Sequence, residues 1–247
     1  MRFLSQFLSL TAVLILILAA LLLLGGGAPA GAAGQGAAAN RIAGAPGSSS
    51  IELPAPAPDG PLSVEGAIAA RRSIRAFADE PVSLAALAQL LWAGQGITGD
   101  DGFRRAAPSA GAKYPIELLV VAGDVTGLPA GVYHYDPAEH ALAPVSRGDR
   151  RDALCDAALS QAWVGRAPFT IIITAVYERT KEKYGERATR YVQIEAGAVA
   201  ENVYLQAESL GLGTTLVGAF SDEDLKAVLG IEGMEPLGVM PVGVRGR

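Results

Sequence analysis

The chain has 247 residues, half of them hydrophobic, and its 20 basic and 25 acidic side chains leave a net charge of −5. That balance, with no stripe of interleaved basic and aromatic residues, excludes a nucleic-acid-binding role. The single cysteine, Cys155, excludes an intrachain disulfide and reads as a small core residue of an apolar helical stretch. In chain order, the first feature is the apolar run Phe7 to Leu24, preceded by Arg2. Its length lies at the lower edge of the roughly 17–25 residues that cross a bilayer as a helix. Ala28-Pro29-Ala30 then offers an A-x-A-like cleavage site. Residues 1–24 are therefore expected to be a signal peptide or a membrane anchor. With no twin-arginine pair ahead of the run, a Sec-type route fits. The expected location is extracytoplasmic, whether periplasmic, secreted or anchored by the N-terminal segment. Residues 25–61 are rich in Gly, Ala, Pro and Ser without apolar periodicity, which predicts a flexible tether. The folded domain is expected over 62–247, about 185 residues, enough for one core.

Pro61 to Arg72 predicts a short helix, with Val64, Ala67 and Ile68 at helical spacing. Ser83 reads as the N-cap of a second helix, Leu84 to Trp92, ended by Gly94 and Gly96. Ile116 to Ala122 is too apolar for an exposed strand and is expected in the centre of a sheet. Gly131 to Asp136 and His140 to Val145 predict a hairpin around Asp136-Pro137-Ala138-Glu139. A helix over Arg150 to Leu159 and a buried strand over Phe169 to Val176 follow. The longest helix is expected from Ala188 to Leu210, closed by Gly211. Thr214 to Phe220 predicts a strand, Ser221 caps a short helix ending at Gly230, and Leu237 to Val242 is the last strand. Helices bracket the strands without strict alternation, which favours an α+β fold. No glycine-rich dinucleotide fingerprint follows any strand.

Three segments can carry chemistry. Arg71-Arg72-Ser73-Ile74-Arg75 gathers three guanidinium groups and a hydroxyl in an acidic chain. Arg forks grip phosphate oxygens in pairs, and Ser adds a neutral donor. The same cations at a solvated helix end would also be favourable toward the helix dipole. Arg105 to Pro115 places small residues between Pro108 and Pro115 just before a central strand. That lets backbone N–H groups approach a flat ligand, although an ordinary loop-to-strand transition reads the same way. Gly211 to Phe220 leaves backbone donors bare along a strand, or is a C-cap followed by a core strand. His134 and His140 flank the hairpin turn with no metal-ligand spacing around them and read as solvated or packing residues. Ser109 has no histidine nearby in a nucleophile motif, so acyl transfer has no support. Trp92 and Trp163 read as core or interface.

Taken in order, these segments resemble the FMN-dependent nitroreductase family. The likeness starts at Arg71 to Arg75, continues through the two-proline loop, and ends with Leu216-Val217-Gly218-Ala219-Phe220 and Pro241-Val242-Gly243. It is closest to the SagB/ThcOx branch, the azoline dehydrogenases of peptide-tailoring clusters. That branch looks like Pro108-Ser109-Ala110-Gly111 with Tyr114-Pro115, Gly131 to Asp136, and Lys183-Tyr184-Gly185-Glu186-Arg187. The resemblance implies a nitroreductase-like fold, a mainly antiparallel central sheet flanked by helices. It also implies a homodimer with FMN at the interface and ping-pong hydride transfer at flavin N5. By that resemblance Arg71, Ser73 and Arg75 hold the phosphate and ribityl chain, with Arg72 lending its backbone. Val217 and Gly218 face the flavin N5 and O4 edge. Pro108, Ser109, Ala110 and Gly111 come from the other subunit, Arg105 matches a basic position, and Arg245 or Arg247 completes the phosphate site. No metal is implied.

In these dehydrogenases a Lys-Tyr pair, matched by Lys183 and Tyr184, handles the proton removed as the flavin takes a hydride. A partly desolvated Lys beside a phenol can act as a base near neutral pH. The dense charge run Glu178 to Lys183 reads equally as a solvated face. The substrate expected is a small molecule or peptide, with NAD(P)H or another electron partner. Two alternatives stand beside the dehydrogenase: an NAD(P)H-dependent nitro- or quinone-reductase, and a non-catalytic flavin-binding envelope protein.

Overall fold

The computed structural model describes residues 49–246. The expected signal or anchor, and residues 25–48 of the expected tether, lie outside the described residues. Seven strands form one sheet in the order β1-β6-β5-β3-β7-β9-β8, with every neighbouring pair antiparallel. They are β1 (Ile51–Glu52), β3 (Ile116–Ala122), β5 (Gly131–Asp136), β6 (Ala141–Arg147), β7 (Phe169–Ala175), β8 (Leu212–Thr214) and β9 (Glu235–Val244). A two-residue parallel pair, β2 (Val82–Ser83) with β4 (Val125–Thr126), sits apart from that sheet. The helices are α1 (Val64–Ala70), α2 (Leu84–Gln95), α3 (Arg151–Ala157), α4 (Ala162–Arg166), α5 (Tyr177–Tyr184), α6 (Ala188–Ser209) and α7 (Asp222–Leu229).

The sheet is covered on both faces, so its central strands have no alternation to display. All seven residues of β3 and of β7 are buried. Ile116, Leu118 and Val120 pack with Leu87, Leu90 and Leu91 of α2 and Val192, Val199 and Val203 of α6. Leu119 and Val121 point the other way, toward Leu154, Val164, Leu225 and Leu229. Serines start three helices: the hydroxyls of Ser63, Ser83 and Ser221 accept from Gly66, Ala86 and Asp224 N–H. Gly230, at φ +65°, ends α7 in the left-handed conformation.

Three expectations need correction. Residues 51–61 are expected in the tether, but β1 pairs with β6 and Leu53 is buried. Ala57 further exchanges hydrogen bonds with the Gln89 side chain. Ile51 and Leu53 are too short an apolar pair among prolines and alanines to show a period. The expected strand over Thr214 to Phe220 stops at Thr214, and Val217 rejoins the sheet only through an isolated bridge to Val239. The charge run Glu178 to Lys183, expected only as a solvated face, forms a helix, α5.

Candidate active site

Two groups of site residues form, on different parts of α6. The first gathers around Tyr204, which α6 presents beside the segment following α1. The Tyr204 hydroxyl accepts from Leu216 N–H at 2.6 Å and lies 3.4 Å from Ser73 Oγ and 3.5 Å from Thr215 Oγ1. One phenol therefore fastens the arginine segment to the chain between β8 and α7. The Arg71 guanidinium stacks over the Tyr204 ring at 5.1 Å, and that of Arg75 over Trp163 at 5.7 Å. Ser73 and Arg75 are exposed and Arg71 is half-buried.

Glu208, one turn further along α6, is buried and forms an ion pair with Arg245. It also accepts Arg72 N–H at 3.2 Å, while Arg245 Nε donates to Leu212 O at 3.1 Å. The Arg72 backbone, expected to face the ligand, is thus engaged inside the chain. The same holds for Val217, whose N–H donates to Val239 O at 2.9 Å. Of the two residues expected at the ring edge, Gly218 is the open one. It is exposed, with nothing within 4 Å of where a Cβ would sit.

The second group surrounds the loop before β3. Gly111 has φ +60°, and Ala112 and Tyr114 are also left-handed. A Cβ at Gly111 would lie 2.6 Å from Tyr184 Oη and 2.8 Å from Lys183 Nζ, so this glycine seats the Lys-Tyr pair. Lys183 Nζ lies 5.4 Å from the Tyr184 ring centroid, and Tyr184 packs edge-on against Tyr191 of α6. Lys183 is exposed, so the desolvation expected for a lysine base is not supplied by this chain alone. Pro108 is exposed and Ala110 half-buried beside them.

A buried polar cluster holds this loop. Ser109 Oγ accepts Tyr114 N–H at 2.8 Å, and Arg179 of α5 donates to Tyr114 O at 2.9 Å. Arg179 also pairs with Glu117 on β3, and His134 Nε2 lies 2.8 Å from the second Glu117 oxygen. Burial pushes the Glu117 carboxyl up, but the His134 and Arg179 contacts outweigh it and hold the group below its ordinary value. Arg105 donates to Gln95 Oε1 at 2.9 Å and stacks over the Tyr114 ring at 4.8 Å. Burial lowers its pKa. Glu195 of α6 is buried on the same side, with its pKa raised to about 7, first of all by burial. His140 bonds Tyr135 Oη and Pro54 O, so both histidines are structural partners.

Among the described residues no hydrogen bond or ion pair links the two groups. Tyr204 and Glu195 are nine positions apart, two and a half turns at about 3.6 residues per turn, so they leave α6 on opposite faces. Tyr204, Glu208, Glu117, Arg179 and Glu195 were not singled out as site residues from the sequence. The available signal was a carboxylate inside an otherwise apolar strand, and acidic positions recurring in a mostly apolar helix, each needing a partner.

Residues 68–244 match the nitroreductase family. The chain belongs to the nitroreductase family. Nitroreductases are oxidoreductases, and the antiparallel sheet with flanking helices is their fold. A protein of Methanocaldococcus jannaschii that carries the nitroreductase name is 44% identical over 182 residues, 74% of this chain and 91% of that one. The trifolitoxin-processing protein TfxB of Rhizobium leguminosarum is 33% identical over 52% of this chain and 36% of its own length. Among solved structures, a nitroreductase homologue from Ralstonia eutropha superimposes with TM-score 0.69 at 30% identity, covering 80% of this chain and 90% of that one. The Escherichia coli microcin synthetase McbBCD complex gives TM-score 0.64 at 23% identity over 82% and 80%, a likeness of fold.

The seat formed by Gly111 gives a direct test of the Lys-Tyr pair within this nitroreductase. In Gly111→Ala the methyl group meets the far ends of two flexible side chains, which can swing away at little cost. The left-handed backbone adds about 1 kcal/mol of strain. Thermal unfolding is therefore expected to shift by only a few degrees while turnover drops about 100-fold, the scale of an ångström-sized misplacement. Unchanged turnover would make the pair structural.

Proposed function

We propose that this nitroreductase is an FMN-dependent dehydrogenase of the SagB/ThcOx type, working as a homodimer whose active sites are each completed by the partner subunit. The observation that carries this reading is the placement of the two groups on opposite faces of α6. One group is suited to an anion and the other to proton transfer, and a second copy can bring them together. Val64 and Ile68 of α1 and Ile194 of α6 are 66%, 58% and 64% exposed, apolar surface available to such a partner. The donor set fits FMN. Arg71, Arg75 and Ser73 offer two guanidinium groups and a hydroxyl to a phosphate, and Gly218 leaves room for a ring edge to approach the backbone.

Bound FMN supplies a two-electron centre able to accept a hydride. Arg71, Ser73 and Arg75 would hold the phosphate, while Arg245, paired with Glu208, fixes the chain end behind them. Tyr204 ties that anchor to the segment leading to Gly218, whose open backbone would offer a donor to negative charge developing on the ring. The loop from Pro108 to Gly111, supplied by the other subunit, would shield the bound group from water. Lys183 takes the proton that leaves the substrate as the hydride departs, and Tyr184 fixes the ammonium group's position. With the apolar N-terminal run read as an export segment, the work is done outside the cytoplasm, where oxygen or a quinone reoxidises the enzyme.

The M. jannaschii relative favours a second reading, an NAD(P)H-dependent reductase. Purified protein is expected to show flavin absorbance or to take up added FMN, and protein that does neither overturns the flavin reading. Anaerobic NAD(P)H added to the loaded protein is expected to leave the flavin oxidised, and bleaching within seconds decides for the reductase. In Lys183→Ala, dehydrogenation is expected to fall by the roughly 100–10,000-fold supplied by a positioned base. FMN binding should be unchanged.

A further inference from the structure

The corner between α3 and α4 has no part in that scheme, yet it is built under backbone strain. Leu159 and Ser160 are consecutive non-glycine residues in the left-handed region, each at φ +57°. Leu159 is also 62% exposed, so its side chain gains little burial from that conformation. L-residues stay there only where their surroundings over-determine them, and such outliers gather at functional segments. Here the pair reverses the chain after α3, with Ser160 N–H bonded to Cys155 O at 2.9 Å. The reversal aims the half-buried Gln161 side chain at two carbonyls at once. Its Nε2 donates to Ala158 O at 2.7 Å and, across 58 residues of sequence, to Ala219 O at 3.0 Å. Both protons of the amide are then in use. Ser221 N–H donates to Ala157 O at 2.8 Å, so the corner holds the segment after Gly218 in two places.

On the other side of Gly218, the Val217 N–H donates to Val239 O at 2.9 Å and the Val217 carbonyl accepts Val239 N–H at 3.0 Å. That carbonyl and the Gly218 N–H belong to one planar trans peptide, so they point in opposite directions. With the carbonyl turned to β9, the Gly218 N–H is turned away from it and meets no acceptor among the described residues. A glycine is where such a segment can pivot. β9 fixes the chain before it, and Gln161 fixes the chain after it.

We propose that Gln161 is a positioning residue for the open Gly218 amide. By holding the Ala219 carbonyl it stops the chain from pivoting at Gly218 and keeps that N–H presented to the cofactor edge. A donor already in place needs no reorganisation when negative charge arrives on the ring, whereas one that swings must first be ordered. Gln161 therefore raises the preference of the site for reduced over oxidised FMN. It does so through Ala219, without being a catalytic residue.

The cofactor half of this proposal rests on the FMN reading, so the test has two arms. In the first, ¹⁵N relaxation of the FMN-free protein gives order parameters for the Gly218 and Ala219 amides. Wild type is compared with Gln161→Leu, which has similar bulk and no proton to donate. Wild-type values are expected near about 0.85, the rigid-backbone range, and those of the variant below about 0.6. Val217 should be unchanged, because β9 still holds it. Equal values for Gly218 and Ala219 in the two proteins overturn the positioning role, whether or not FMN binds. In the second arm, the reduction potential of bound FMN is measured for the same two proteins. Gln161→Leu is expected to favour the reduced form about tenfold less, a fall of about 30 mV for a two-electron couple. A brace serving stability alone would lower the unfolding midpoint and leave the potential where it was. An unchanged potential beside mobile amides therefore overturns the cofactor half. If Gln161→Leu does not fold, Gln161→Glu replaces it in both arms with the same expectations, since an ionised carboxylate donates to neither carbonyl. Protein that binds no FMN defeats the flavin reading and leaves the first arm to decide the role of Gln161.

Discussion

Glu117→Ala is expected to destabilise the protein by about 3–5 kcal/mol, the cost of leaving a buried cation without its partner. For a chain of this size each kcal/mol moves the unfolding midpoint by roughly 2–4 °C, so a loss of about 6–20 °C should be seen. The reason lies in the position of Glu117 on the central strand. Its side chain is 9% exposed and that of Arg179 16%, so neither charge has ready access to water. Arg179 also holds the Tyr114 carbonyl, and it stands one helical turn before Lys183 on α5. The substitution should therefore loosen α5 and the loop at Gly111 together, and turnover should fall more than unfolding alone accounts for. Differential scanning calorimetry with activity measured well below the midpoint separates the two effects. Acid sensitivity gives an independent check. The folded pKa of Glu117 is lowered, so its contribution is present above the unfolded value and lost as pH falls through the folded one. Glu195 has the opposite sign. Its folded pKa is raised, so its contribution is present below the unfolded value of about 4.5 and lost as pH rises toward 7. Removing Glu117 should flatten the acid limb of the stability profile, and a variant as stable and as acid-sensitive as wild type would refute the anchoring role.

The elements that local chemistry dictates were legible from the residues. Ser83 and Ser221 announce their helices because an N-cap is satisfied within three residues. β3 and β7 announce themselves because a strand buried on both faces must be apolar throughout. What was missed depends on distant partners. β1 is held by its pairing with β6 across about ninety residues, and nothing in Ile51 and Glu52 themselves specifies that. The charge run of α5 looked solvated because the Glu117 that pairs with Arg179 is remote in sequence. The arginine segment was legible as an anion site from its composition. The parts that aim it, the Tyr204 hydroxyl and the Glu208 carboxylate, sit in a long helix where one tyrosine looks like any other. The same physical limit explains Arg72 and Val217. Sequence spacing places their amides near the site, but which amides are already bonded to Glu208 and Val239 is a property of the assembled sheet and helix.

Two inactive variants should restore activity when their subunits are mixed. Arg75→Ala weakens the anion-binding group, and Lys183→Ala removes the base from the loop group. Both groups belong to every chain, and on the proposed reading each working site draws one group from each subunit. In a two-fold dimer, a mixed pair then contains one site with both defects and one with neither. Random exchange makes about half the dimers mixed, each with one of its two sites intact, so about a quarter of wild-type turnover should return. If each chain instead built its whole site, every site would carry one defect and mixing would recover nothing. The measurement needs subunit exchange under mild denaturation followed by refolding with FMN, with differently tagged chains purified to confirm that mixed dimers formed. Full recovery of mixed dimers without activity would refute a site shared between subunits. Activity near a quarter of wild type would tie the exposed Val64, Ile68 and Ile194, the Tyr204-centred anion group and the Gly111 seat into one shared site.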